Sequence, residues 1–328
     1  MAHVVVENLR KTFRVRKRGT GGWGKLRGLL APEHQEVRAL DGASFELQRG
    51  ELTAYVGPNG AGQSTTIKVL SGILVPSSGR CEVGGLVPWQ RRQEHVARIG
   101  VVFGQRSQLF WDLPLLESFA LLAAIYRVPR ERYVQVRDEL IDALQVEAFL
   151  ATPVRQLSLG QRMRGELLGA LLHAPELLFL DEPTIGLDAA SKLAVRRFVR
   201  RQNEQHGTTV ILTTHDFDDI EAVCDRVIVL GRGKVLLDGS LDALRASVGR
   251  ERRLIADLVD PSSELVELPA TLVQRQGARV TWSFDPTRIS PTDLIQLLIS
   301  RHAVRDLFVE HPPIEEVVAE LYRRLEQP

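Results

Sequence analysis

Residues 57–65 read Gly57-Pro58-Asn59-Gly60-Ala61-Gly62-Gln63-Ser64-Thr65. The five residues before them, Leu52–Val56, form a short apolar run with the composition of a buried strand, and residues 64–70 continue as a helix. A strand that ends in a glycine-rich turn and opens a helix is where a phosphate-cradling loop must sit, because successive backbone N–H groups and the helix N-terminus face an anion. The glycines permit the tight turn and let the backbone approach phosphate oxygens closely. Ser64 stands where a hydroxyl would ligate Mg²⁺. The lysine usual in such loops is absent, and position 63 is Gln. Taken alone, the same residues also fit a plain Gly-rich turn.

Working outward, residues 99–103, 177–180 and 210–213 are further apolar strands, and residues 191–205 form a helix between the last two. Strands alternating with helices imply an α/β fold with a largely parallel sheet covered on its faces. A short strand is expected at 4–6, residues 113–150 are mainly helical, and 227–230 with 234–237 flank Gly231 and Gly233 as a terminal hairpin. A boundary falls near 238–240. Beyond it, strands at 254–258, 279–284 and 304–309 and helices at 291–300 and 313–325 describe a small α+β domain, so the expected division is 1–240 and 241–328.

The 328 residues are 44% hydrophobic and 25% charged, which is ordinary for a globular chain, and the net charge of +1 gives no nucleic-acid-like bias. Two cysteines, Cys81 and Cys224, make no disulfide scaffold. No signal-peptide pattern opens the chain. No apolar run approaches the roughly 18–20 residues that span a bilayer. A membrane pathway, if the chain serves one, must come from another polypeptide. Residues 10–30 hold eight basic residues and no acid, with Trp23, Leu26, Leu29 and Leu30 interleaved. This segment is either a solvated surface insertion, about 14–36, or one that lies against anionic lipid headgroups. Gly19, Gly21, Gly22 and Gly24 argue against a stable helix across its middle.

Further motifs carry chemistry. Leu177-Leu178-Phe179-Leu180-Asp181-Glu182 is an apolar strand ending in two carboxylates. Asp181 stands where a metal-holding acid belongs, and Glu182 where a base can polarise an attacking water. A strand closed by a solvated Asp-Glu-Pro turn is the plainer alternative. Between this strand and the phosphate loop lies Leu157-Ser158-Leu159-Gly160-Gln161, and Gln105 follows the strand at 99–103; Gly186-Leu187-Asp188 and His215 come after Glu182.

In this order, over about residues 4–240, the set resembles the nucleotide-binding domains of ATP-binding-cassette (ABC) transporters, a P-loop NTPase fold with a helical subdomain, here about 105–165. The stretch 103–114 and the appended C-terminal domain are similar to the branch that exports drugs, peptides or polysaccharides. The resemblance implies an ATP-hydrolysing motor subunit that uses ATP and Mg²⁺. It works as a dimer with a second nucleotide-binding domain, docked on separate integral membrane permease subunits at the cytoplasmic face of the membrane; Phe110, Trp111 and Leu113 are candidates for that docking contact. No nucleic acid partner is expected. Residues 57–65 would bind ATP, and Phe13 would stack on adenine or else serve the core. Ser64, Gln105 and Asp181 would hold the metal. Glu182 would act as general base, with Gln105 and His215 sensing the γ-phosphate. The signature Leu157–Gln161 segment (157–161) would reach the partner's nucleotide, and Gly186, Leu187 and Asp188 would meet the partner across the dimer.

Two residues depart from the family pattern. Leu159 replaces the commoner Gly while Ser158 and Gly160 remain. Gln63 replaces a lysine whose charge-assisted hydrogen bonds to the phosphates matter most as transfer proceeds, so hydrolysis is expected to fall. The alternative readings are a catalytically weak regulatory or scaffold subunit of such a complex, and a non-transport cassette protein. The C-terminal domain reads either as structural support for a dimer or as regulatory.

Overall fold

The computed structural model describes residues 2–16, 34–104 and 106–326. The chain divides into two compact units, Met1–Ser240 and Leu241–Pro328. In the first unit, β3 (Leu52–Val56), β5 (Ile99–Phe103), β6 (Leu177–Asp181), β7 (Thr209–Thr213), β8 (Arg226–Gly231) and β9 (Lys234–Ser240) form a six-stranded sheet in the order β5-β6-β7-β3-β8-β9. All neighbours are parallel except the terminal β8–β9 hairpin. The central strands read as unbroken apolar runs because both faces are covered: every residue of β3 and β7 is buried.

A second, antiparallel sheet is built from β1 (Ala2–Arg16), β2 (His34–Gln48) and β4 (Ser78–Val83), with β1 in the middle. The core joins Val4, Val6 and Leu9 of β1, Phe45 and Leu47 of β2, Ile67 and Leu70 of α1 (Gln63–Leu70) and Phe179 of β6. The first strand is therefore longer than the three residues expected, and β2 and β4 were not legible. Their outer residues alternate Arg, Glu, Ser and Gln with the inward apolar ones, so no continuous apolar run marks them. Residues 14–16 and 34–36, placed by the sequence in the basic insertion, are strand residues that pair with one another. The rest of that insertion and Gln105 lie outside the described residues.

The short helix α2 (Arg92–Val96) precedes β5. A helical layer follows it: α3 (Leu115–Ile125), α4 (Arg130–Leu144) and α5 (Leu159–Leu171). Leu115, Phe119 and Leu122 recur at helical spacing and are buried. Helices α6 (Ala189–His206) and α7 (Phe217–Val223) flank β7 in sequence. No helix among the described residues is long and apolar enough to cross a membrane.

The second unit holds α8 (Leu241–Val248), β10 (Arg252–Leu258), β11 (Thr271–Gln276), β12 (Arg279–Phe284), α9 (Pro291–Arg301), β13 (Val304–Glu310) and α10 (Ile314–Glu326). Its antiparallel sheet runs β11-β12-β10-β13. Leu254, Ala256, Trp282 and Phe284 pack with Leu294 and Leu298 of α9 as a separate core. Ser290 caps α9 by accepting from Asp293 N at 3.1 Å, and Pro291 opens it. The edge strand β11 is exposed at every residue and shows no apolar alternation, which is why it escaped the sequence reading.

Candidate functional site

The loop between β3 and α1 is held by backbone on two sides. A Cβ on Gly62 (φ 110°) would lie 2.5 Å from Ala39 O, and one on Gly57 would lie 3.0 Å from Leu230 O. Ala61 N donates to Pro58 O at 2.9 Å and Gly233 N donates to Ala61 O at 3.1 Å, which closes the turn. Pro58, Asn59 and Gly60 stay exposed at the tip, and Gly60 (φ 85°) has open space where a Cβ would be. Ser64 is exposed in the first turn of α1 and Thr65 is half-buried. The arrangement fits a phosphate chain laid over backbone N–H groups at a helix start.

Gln63 faces elsewhere. It is 9% exposed, and its Nε2 donates to the Tyr55 carbonyl at 3.1 Å. The position usually given to a phosphate-binding ammonium thus spends its donor on β3.

Sheet order brings the next residues beside this loop, because β6, β7 and β3 are neighbours and parallel. At the end of β6, Asp181 accepts from Thr213 Oγ1 at 2.6 Å. Ser64 and Asp181 carry oxygen atoms of the kind that suits a magnesium ion. Glu182 has φ 57°, a left-handed backbone rare for residues with side chains, and its N–H donates to Thr213 O at 3.0 Å. His215 Nε2 lies 3.2 Å from Glu182 Oε1. Burial pushes the Glu182 carboxyl above the usual range; His215 opposes the shift, and Asp181 adds to it. Gly104 leaves no room for a side chain here, since its Cβ would fall 2.2 Å from Glu182 O.

Two supporting networks were not foreseen. Asp219, 1% exposed, accepts from Thr184 Oγ1, from Thr214 Oγ1 at 3.1 Å and from Arg196 Nε. Arg196 and Lys192 also hold Asp216. This cluster ties α6 and α7 to the residues that follow Glu182 and precede His215. Glu166 of α5 is buried and accepts from Ser107 Oγ and, at 3.1 Å, from Gln108 N, fixing the chain just after position 105. Its apolar neighbours Leu167 and Leu168 are the only sequence hint that this carboxylate is inside.

A second cluster gathers the signature. Ser158 is the N-cap of α5: Gln161 N donates to Ser158 Oγ at 3.2 Å, and Ser158 N donates to Gln161 Oε1 at 2.9 Å. A Cβ on Gly160 would lie 2.4 Å from Ser191 Oγ, and Ser191 is bound in turn to Asp188, the N-cap of α6, at 2.9 and 2.7 Å. Leu159 lies over Gly186 (φ 71°), whose Cβ would be 2.9 Å from Leu159 Cδ2. Leu187 is buried and Leu157 half-buried. Phe13 on β1 is half-buried, outside the core cluster, with Lys11 Nζ 5.3 Å from its ring centre.

These features define a P-loop ATPase, and comparison with known proteins places it further. Residues 40–185 match the family model "ABC transporter". The daunorubicin resistance ATP-binding protein DrrA3 of Streptomyces coeruleorubidus is 36% identical over 217 residues, 66% of this chain and 68% of that protein. The phosphonates import ATP-binding protein PhnC of Maricaulis maris is 34% identical, over 64% of this chain and 85% of that protein. The dimeric post-hydrolysis structure of the ATP-binding cassette MJ0796, bound to ADP and Pi, superposes with a TM-score of 0.61 at 26% identity, covering 73% of this chain and 98% of that one. The chain belongs to the ATP-binding subunits of ABC transporters. It is an ATP-binding, ATP-hydrolysing subunit, and cassettes of this family form dimers.

Proposed function

We propose that this subunit drives export, coupling closure of a cassette dimer on ATP to integral membrane permease subunits at the cytoplasmic face of the membrane. Relatives named for daunorubicin and linearmycin resistance support the outward direction. The observation that carries the catalytic reading is the Glu182–His215 pair at the ends of strands that neighbour the phosphate loop.

In this reading residues 57–65 bind the phosphates, and Phe13 takes the adenine. Glu182 accepts the proton of the attacking water, and His215, 3.2 Å away, orients that carboxylate and donates to the γ-phosphate. Ser64, Gln105 and Asp181 would hold Mg²⁺, which would supply positive charge against the phosphates. Ser158 and Gly160 serve the partner's nucleotide, and Asp188 holds the turn between the two cassettes.

Gln63 supports a slower variant of the same function. Glutamine is neutral and one of its amide N–H groups is taken by Tyr55 O, so the loop lacks the cation that stabilises charge during transfer. Mg-ATP turnover of the chain with its membrane partner tests this beside Gln63→Lys and Glu182→Gln. Gln63→Lys is expected to hydrolyse about 10²-fold faster and Glu182→Gln to abolish turnover. Equal rates for the unaltered chain and for Gln63→Lys would overturn the account of that position. Purification from membranes without any integral membrane subunit would overturn the motor reading.

A further inference from the structure

The second unit contains a cavity of about 820 Å³ bounded by α8, the start of β10 and α10. Six arginines and four carboxylates line it, an excess of positive charge in a concave site. Four of the arginines are held in place. Arg253 donates to Glu316, Arg323 pairs with Glu320 at 2.6 Å, and Arg245 donates to Asp242 at 3.4 Å. Arg324 donates to Glu320 at 3.1 Å and to the last carbonyls of α8 at Ser247 and Val248.

The other two differ. Arg252 buries its Nε with no hydrogen-bond partner among the described residues. Arg250, exposed beside it, holds no ion pair among them, and Asp285 senses its charge only through space. A buried guanidinium nitrogen without an acceptor is costly, and natural structures supply one from water or from a ligand. The cavity is also larger than a single water site needs and lies in the size range of small-molecule pockets. Val248, Val273 and Val317 give it an apolar wall.

We propose that this cavity binds a soluble phosphorylated small molecule of nucleotide size. Arg250 and Arg252 take the phosphate and the valine wall takes the organic body. The arginine fork offers parallel N–H donors matched to phosphate oxygens, which a lone ammonium does not. The site belongs to the second unit alone, so it is distinct from the phosphate loop and independent of the export reading.

The test is calorimetric titration of the full chain with inorganic pyrophosphate, with a non-hydrolysable Mg-ATP analogue present throughout to fill the cassette. One saturable site per chain is expected. Arg250→Gln should weaken it by at least about threefold, and Arg250→Gln with Arg252→Gln by at least about tenfold. Arg279→Gln, whose side chain is paired with Asp257 outside the cavity, should leave it unchanged. Arg250 is exposed, so its single variant keeps the test decisive if the double variant fails to fold. Absence of saturable binding, as for a cavity that holds water only, would overturn the proposal. So would equal affinity of wild type and Arg250→Gln. Flotation with phosphatidate vesicles, lost in the double variant while pyrophosphate gives no heat, would replace the soluble ligand by a lipid headgroup and overturn it too.

Discussion

At the scale of single residues, the candidate site rests on side chains packed behind Glu182 and His215. Asp219 receives three donors, two from threonines that lie just after Glu182 and just before His215 along the chain. Asp219→Asn keeps the shape but leaves Arg196 short of its buried charge partner, at a cost of about 1–3 kcal/mol of stability. Turnover is expected to fall by about tenfold or more with ATP affinity little changed, because the loss is in how Glu182 and His215 are aimed. Steady-state kinetics beside equilibrium ATP binding checks this; a matching loss in both would reduce Asp219 to a structural role. Gly104→Ala makes the complementary prediction. Its new methyl must displace the Glu182 carbonyl, so turnover drops while the phosphate loop still binds ATP. Glu182 and His215, which the structure sets 3.2 Å apart, were singled out by the order of motifs that resembles the family. Asp219 was not, since Asp216, Asp218 and Asp219 together read as a solvated acidic helix start. Gly104 was silent for another reason: what demands it is a carbonyl some eighty residues away.

At the scale of elements, α5 carries two duties at its first turn. Ser158 closes a capping box there, and the proposed reading also sends its hydroxyl to the partner's nucleotide. Loss of the cap alone costs about 1 kcal/mol. Ser158→Ala should therefore lower the unfolding midpoint only modestly, while turnover of the dimer falls by at least tenfold. Turnover within twofold of wild type would leave only the cap. The helices and parallel strands were readable because burial on all sides writes continuous or 3.6-periodic apolar patterns. Beyond the strand expected at 4–6, the antiparallel strands β1, β2 and β4 were hidden by their exposed faces, and β11 by having no buried face at all.

At the scale of the whole chain, the first unit buries His3 and His95 and half-buries His173. Burial lowers the pKa of His3, His95 and His173 below the ordinary value. The unfolded chain takes up protons at these positions near pH 6.5 while the folded chain resists, so stability present above that pH is lost as pH falls. His173, stacked on Tyr126 and bonded to Ile99 O at 2.8 Å, is the most separable of the three. His173→Asn should show a smaller drop in denaturant midpoint between pH 7.5 and 5.5 than wild type. An unchanged drop would remove His173 from the acid response.

The contact of Leu159 with Gly186 has a consequence for how such sequences can vary. The two positions share one volume: a leucine at the third signature residue fills space that a side chain at 186 would need, and the left-handed backbone at 186 already favours glycine. A smaller residue at 159 would leave that volume open, and alanine at 186 would meet the Leu159 side chain at 2.9 Å. Leu159 and Gly186 therefore act as one packing unit shared by two motifs, and bulk added at one position must be given up at the other.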